Sequence, residues 1–182
     1  DLMPEQGRII EEVPQARVEG TGCPKCGNEL VIKRLKHHEP ERMVCKACDF
    51  IFFQDPKVAA GTVFESDGGL VLLRRAIEPA YGKWVFPGGF VDRGERVPDA
   101  AIRETREEAS VDVTIRELID VYSYASSPIV VIVYAAEICG GELRAADETL
   151  EAKAFEPSAI PWDELAFPST HEAVTAYIER FF

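Results

Sequence analysis

Residues 88–111 read GGFVDRGERVPDAAIRETREEASV, and the spacing of the acids in this stretch decides how the whole chain is read. Glu104, Glu107 and Glu108 stand at i, i+3 and i+4, so on a helix of 3.6 residues per turn their carboxylates leave one face and converge. Three unneutralised acids placed this way repel one another. A hard divalent cation with oxygen ligands removes that repulsion, and Mg²⁺ characteristically takes one or two carboxylates while keeping waters and substrate phosphates. The opposite face carries Ile102, Thr105 and Ala109, a small stripe suited to packing on a sheet. Arg103 falls one turn before Glu107 and near Glu95, where its planar fork of donors holds a carboxylate in fixed orientation. The glycines of Pro87-Gly88-Gly89 admit backbone conformations closed to other residues and bring carbonyl oxygens toward the metal.

With Gly89, Glu95, Arg103, Glu104, Glu107 and Glu108 at these spacings, the segment resembles the Nudix box, the signature of hydrolases that cleave a nucleoside diphosphate linked to another group. The resemblance implies an α/β/α sandwich with a mixed sheet over residues 56–182. It implies Mg²⁺ or Mn²⁺ held by Glu104, Glu107 and Glu108, with the Gly88 carbonyl as a further ligand and Glu95 and Arg103 in support. It also implies a general base on a later loop, for which Glu148 and Glu151 are the candidates. Glu148 is preferred because it precedes by six residues the strand position where relatives often carry Trp, occupied here by Ala154. Two positions depart from the pattern. Thr105 replaces an aliphatic residue, and Ser110 replaces the glycine after the helix, which makes a left-handed terminal residue costlier and predicts a turn displaced by a residue or so.

Four of the five cysteines form two pairs, Cys23-Pro-Lys-Cys26 and Cys45-Lys-Ala-Cys48, eighteen residues apart. This is zinc-ribbon spacing: each knuckle presents two thiolates to one ion, and the Cys₄ set closes a tetrahedral, structural Zn²⁺ site. Disulfides are the alternative, disfavoured where no secretory signal is seen. Cys139, on an apolar strand, is expected to be a small buried hydrophobe. His37 and His38 lie between the knuckles and are expected to be exposed, since four thiolates already suffice. A four-cysteine ribbon preceding a Nudix domain is itself a known arrangement, and the tail IPWDELAFPSTHEAVTAYI is similar to members of that subgroup, some of which hydrolyse ADP-ribose and FAD.

The 182 residues are 46% hydrophobic and 29% charged, room for one full domain and a small appendage. We expect a leader at 1–20, the ribbon at 21–55 and the hydrolase domain at 56–182. The apolar run Phe50-Ile51-Phe52-Phe53 is expected to pack on the second domain or on a second subunit, and a homodimer follows from it. No apolar run approaches a membrane span and no signal peptide is visible, so a cytoplasmic enzyme is the expectation. The net charge is −12, with nine Lys/Arg against ten Asp/Glu in residues 1–57 and eleven against twenty-two thereafter. So acidic a domain draws a phosphate-bearing substrate only through bound cations, and it disfavours long nucleic-acid partners, which bind basic surfaces.

Strands are predicted at Glu29–Leu35, Arg42–Val44, Val58–Glu65, Leu70–Arg74, Glu117–Tyr124, Ile129–Ile138 and Glu151–Glu156, with a hairpin turn at Asp67-Gly68-Gly69. Helices are predicted at Pro98–Ala109 and Ser169–Phe182. The expected activity is attack of water on one phosphorus of a pyrophosphate bridge in a small nucleotide substrate, ADP-ribose or FAD. NADH is not favoured, because NADH-cleaving relatives carry a Ser-Gln-Pro-Trp-Pro-Phe-Pro run where this chain has Tyr124-Ala125-Ser126-Ser127-Pro128-Ile129. Tyr122, Tyr124 and Phe167 are candidate stacking surfaces for a substrate ring. An RNA-directed enzyme guided by the ribbon and a non-cleaving nucleotide sensor are the alternatives.

Overall fold

The computed structural model describes residues 17–125 and 127–182, with side chains from Gly22 onward. The chain divides between Asp55 and Pro56 into two compact units. In the first, β1 (Arg17–Gly22), β2 (Glu29–Lys33), β3 (Arg42–Cys45) and β4 (Ile51–Phe52) form an antiparallel sheet in chain order. Of the expected leader, residues 1–16 lie outside the described residues and 17–20 belong to β1. Cys23, Leu30, Met43 and Cys45 make a small core, and Phe50 and Phe52 pack against it. The apolar run at 50–53 therefore partly serves the ribbon's own interior. Phe53 alone of its four members is exposed, at 56%, with the Arg42 guanidinium 5.1 Å from its ring centroid.

The second unit contains β5 (Lys57–Val63), β6 (Glu65–Ser66), β7 (Gly69–Arg75), β8 (Trp84–Val85), β9 (Gly88–Phe90), α1 (Val97–Ala109), β10 (Val111–Ser123), β11 (Ile129–Gly141), β12 (Thr149–Phe155) and α2 (Pro168–Phe181). A mixed sheet runs β10-β11-β5-β9, with β11 and β5 parallel and the outer pairings antiparallel. A second, antiparallel sheet runs β12-β7-β6, with β8 on β7. The hairpin between β6 and β7 turns through Asp67 and Gly68, both at positive φ (51° and 78°), the signature of a two-residue type I′ turn.

Successive side chains of a strand point to opposite faces, and the core follows that rule. Val133 and Ala135 of β11 join the cluster of Ala173, Val174 and Tyr177 from α2, while Ala136 joins that of Ala109 from α1 and Tyr134 packs beside Ala100 and Ala101. On β7, Leu70 and Leu72 face α2 and Val71 and Leu73 face α1. The two helices thus cover opposite sides of the sheets, the α/β/α sandwich the sequence implied.

Two details of the strands differ from expectation. β10 begins at Val111, six residues before the predicted strand, and its pairing with β11 shifts register three times. Its first half presents Val111 and Val113 to the α1 core, whereas its second presents Ile119 and Tyr122 to the α2 core. These irregularities break the alternation by which such a strand is recognised. Cys139 on β11 is exposed, not a buried hydrophobe. Thr105, as expected, lies on the packed face of α1, fully buried, where its hydroxyl donates to the Ala101 carbonyl (2.7 Å) and lies 2.6 Å from that of Thr62 on β5. A polar group at that position is tolerated because it is completely partnered.

The turn after α1 is not displaced. Ser110 adopts the left-handed conformation (φ 60°, ψ 21°) and its N–H donates to the Arg106 carbonyl at 3.1 Å. The last-turn carbonyls of Glu108 and Ala109 accept from the N–H groups of Ala146 and Arg144, both at 3.1 Å, so the neighbouring loop holds the helix end where glycine would have left it. The cost to serine is about 1 kcal/mol. Ser110→Gly is therefore expected to stabilise the protein by about that amount, read as a higher urea midpoint at unchanged slope.

Candidate active site

Arg103 organises the acids around it. Its Nε and Nη2 donate to the two oxygens of Glu95 at 2.8 and 3.0 Å, and its Nη1 donates to Glu104 at 2.7 Å and Glu107 at 3.1 Å. Nη2 also reaches the Phe90 carbonyl at 3.1 Å, which ties β9 to the helix. The sequence assigned Arg103 a single carboxylate; the structure gives it three. Glu95 additionally accepts the Asp92 N–H at 3.0 Å. Hydrogen bonds from Arg103, then that from Asp92, hold the Glu95 carboxyl down to about 2. The bonds to Glu95, and after them that to Glu104, raise the guanidinium above its ordinary value.

Glu108 belongs to a different environment. It accepts the Gly88 N–H at 2.9 Å, so the tie between Gly88 and the site runs through the amide. Burial pushes the Glu108 carboxyl up to about 7, the charges of Glu104 and Glu148 add to the rise, and the Gly88 N–H and Arg75 oppose it. Burial likewise raises Glu104, against the pull of Arg103. The three helix acids are therefore held by different partners. Glu104 and Glu107 share Nη1 of Arg103, and Glu108 is anchored to β9.

Glycine is required on β9 for a steric reason. A Cβ at Gly89 would stand 2.5 Å from the Glu104 carboxylate, and one at Gly88 would stand 2.7 Å from the Ala60 carbonyl and the Gly61 Cα. β9 approaches Glu104 only because Gly89 has no side chain, and lies this close to β5 only because Gly88 has none.

Glu104, Glu107, Glu108 and Arg103 line one cavity of about 1080 Å³, together with Gly88 and Gly89. Glu148, in the loop before β12, lines it as well, whereas Glu151 does not. Glu95 stands behind Arg103, outside the lining. Of the aromatic candidates, Tyr124 and Phe167 face the cavity, and Tyr124 donates to Glu172 at 2.9 Å. Tyr122 is buried in the α2 core and does not. No spacing signal pointed to Phe90 or Arg75, which also line the wall. Arg75 is the second of two arginines at the end of β7, and only the fold brings it to within the field of Glu108.

In the ribbon, Cys23, Cys26, Cys45 and Cys48 hold sulfur atoms within 4.8 Å of one another. The two knuckles repeat one local geometry. Lys25 N–H points to the Cys23 sulfur and Ala47 N–H to the Cys45 sulfur, both at 3.4 Å. Each knuckle ends in a left-handed residue, Gly27 (φ 76°) or Asp49 (φ 54°), whose N–H donates to the carbonyl of its first cysteine. Hydrogen bonds from the Asn28 side chain and backbone draw the Cys26 thiol down to about 6, toward the thiolate that a metal takes. All four thiols are free, and the donor set fits zinc. His37 and His38 are exposed in a turn, as expected.

Comparison with known proteins agrees with this geometry. The chain is 35% identical over 123 residues to an ADP-ribose pyrophosphatase of Methanocaldococcus jannaschii, covering 65% of this chain and 70% of that protein. It is 30% identical over 142 residues to a NAD-capped RNA hydrolase NudC of Pseudomonas aeruginosa, covering 76% of this chain but only 49% of the relative. The crystal structure of a NUDIX hydrolase from Nitrosomonas europaea superposes with a TM-score of 0.82 at 34% identity, covering 88% of this chain and 91% of that one. Residues 23–54 match the Nudix N-terminal zinc-ribbon family, and residues 55–178, more than half of the chain, match the NUDIX domain, so that by sequence, fold and the arrangement of Glu95, Arg103, Glu104, Glu107 and Glu108 the chain belongs to the Nudix hydrolase family.

Proposed function

We propose that this chain is a divalent-metal-dependent pyrophosphohydrolase acting on a nucleoside diphosphate linked to another moiety, with ADP-ribose or FAD as the leading substrates. The observation that carries the proposal is the charge of the cavity. Among the described residues, seven acidic side chains line it against two arginines, and Arg103 is already spent on carboxylates. A diphosphate enters such a place only when cations reverse its sign. Glu104, Glu107 and Glu108, with the Gly88 carbonyl as a further candidate, are the residues that would hold Mg²⁺ or Mn²⁺. Bound there, the metal would lower the pKa of water and neutralise charge on the phosphoryl oxygens. Arg103 and Glu95 fix the orientation of the first two carboxylates. Glu148 is the proposed general base because it lines the same cavity, and its charge bears on Glu108.

The likeness to ADP-ribose pyrophosphatase supports the substrate class. The likeness to NudC raises the RNA-directed alternative, which the ribbon weakens: Arg34, Lys36 and Lys46 are paired with Glu41, Glu39 and Glu29 at 3.5, 3.2 and 3.0 Å. We propose the ribbon, residues 21–55, as a structural appendage and residues 56–182 as the catalytic domain. Free thiols fit a reducing compartment such as the cytoplasm, and among the described residues no helix is long and apolar enough to cross a membrane. A homodimer is proposed on the exposed Leu118 and Val121 of the outer strand β10.

Glu107→Gln tests the metal assignment. Glu107 is half-exposed and, among the described residues, accepts only from Arg103, so the fold should survive while turnover on the best substrate falls by roughly three to five powers of ten, about 4–7 kcal/mol of transition-state stabilisation. Turnover equal to wild type at saturating Mg²⁺ would remove the role of this helix.

Protein expressed in metal-replete, reducing medium should contain one zinc per chain by elemental analysis. Cys45→Ser should lose the zinc and unfold the ribbon, since binding a structural zinc is coupled to folding. Disulfides among the four cysteines would refute the site.

The pH dependence of stability has a definite sign. The Glu108 carboxyl is raised from its ordinary 4.5 to about 7 in the fold. Its contribution is fully present below pH 4.5 and is lost as pH rises through 7, a loss of about 3 kcal/mol at most. Without added Mg²⁺ or Mn²⁺, urea unfolding should show stability falling between pH 5 and 8, and Glu108→Gln should flatten that fall. An unchanged pH profile in the variant would show that Glu108 titrates normally.

A further inference from the structure

Helix α2 begins on the wall of the cavity that the carboxylates line. Its first three residues, Pro168, Ser169 and Thr170, all belong to that wall, and no side chain caps this end. Pro168 has no N–H, and the N–H groups of Thr170 and His171 both turn back to the Phe167 carbonyl, at 3.0 and 3.2 Å. The Ser169 N–H has no backbone acceptor among the described residues. The side chains are unmatched in the same place. Thr170 is fully buried, and its hydroxyl has no hydrogen-bond partner among the described residues. Ser169, next to it, is 6% exposed. The buried pair Thr62 and Thr105, by contrast, satisfy each other, so an orphan hydroxyl is not the habit of this interior.

Arg75 adds a positive charge to the same wall. Its Nε donates to the Pro79 carbonyl at 2.9 Å, and its guanidinium lies 5.1 Å from the ring centroid of Phe167, the residue before the helix. These contacts hold the guanidinium without using a carboxylate. Glu172, further along α2, does not line the cavity and instead accepts from Tyr124 at 2.9 Å.

We infer that the start of α2, with Arg75, is a phosphate subsite that binds its oxyanion without a metal. Its place in catalysis rests on the proposed pyrophosphohydrolase reading, whereas its affinity for phosphate does not. A helix N-terminus offers an anion its free N–H groups and the positive end of its dipole. Hydroxyls and a guanidinium add charge-assisted hydrogen bonds. An oxyanion also supplies the acceptor that the buried Thr170 hydroxyl lacks, and an unmatched buried donor is costly. A single phosphate fits this corner alone. A diphosphate reaching from it to Glu104, Glu107 and Glu108 still needs a cation at those acids.

The test titrates inorganic phosphate into the protein at constant ionic strength, with no Mg²⁺ or Mn²⁺ added, and follows the backbone amide NMR signals. Saturable shifts should centre on Ser169, Thr170 and His171, and chloride should not reproduce them. Ser169→Ala and Thr170→Val should each weaken phosphate binding about tenfold, the loss expected for one hydrogen bond to a charged group. Thr170→Val should also melt at a higher temperature than wild type in phosphate-free buffer, because it removes an unmatched buried hydroxyl. Ser169→Ala carries the binding test if the valine protein does not fold. Phosphate shifts that are absent, that lie elsewhere, or that persist unchanged in the variants would overturn the inference, as would a lower melting temperature for Thr170→Val. Steady-state kinetics with Mg²⁺ then separates two sources of the same chemistry. Competitive inhibition by phosphate supports the corner as the seat of the substrate's own phosphoryl group, and non-competitive inhibition supports it as a site for free phosphate. Phosphate binding in a protein that cleaves no diphosphate would sink only the hydrolase reading.

Discussion

One guanidinium holds three carboxylates and a strand in register, and the site depends on it. Arg103 grips Glu95 with two donors, Glu104 and Glu107 with a third, and the Phe90 carbonyl with a shared fourth contact. A lysine would present one compact charge without the fixed fork that makes these angles compatible. The clamp also explains why glycine occupies β9. Pulling that strand onto the helix leaves no room for a side chain between Gly89 and Glu104, so the arginine and the glycine are two halves of one close approach.

Much of this was legible in the sequence because it rests on spacing along a single helix. Glu104, Glu107, Glu108 and Arg103 share a face by helical geometry, and Glu95 lies close enough in sequence to be reached. The cysteine pairs were legible for the same local reason. What failed to show was set by contacts distant in sequence. The split between Glu108 on the Gly88 amide and the other acids on Arg103 depends on how β9 pairs with β5. The first half of β10 was missed because register shifts move its apolar residues from one face to the other. Cys139 was read as buried from an apolar run, but the end of β11 leaves it exposed.

Thr105 and Ser110 show how departures from a family pattern are absorbed. A threonine on the packed side of α1 would cost desolvation if its hydroxyl were unmatched. Thr62, on the strand beneath, supplies the match, and the pair is buried together. At the helix end, serine accepts a strained conformation because the backbone at 144–146 caps the last carbonyls. In both places a non-local partner decides the outcome, which a pattern of residue types cannot encode.

The electrostatics of the site follow from an imbalance that the fold does not correct by itself. Arg103 contributes one positive charge to three carboxylates, and Glu108 has only a backbone amide and the field of Arg75. Burial then works on what remains: Glu95, fully matched, stays ionised far below neutrality, while Glu108, poorly matched, retains its proton up to about 7. A cation at the helix face would reverse that preference and make the ionised form the stable one. The same residues that render the cavity unfavourable to a diphosphate are therefore those that would make it favourable with metal bound, and the affinity for metal and for phosphate must rise together.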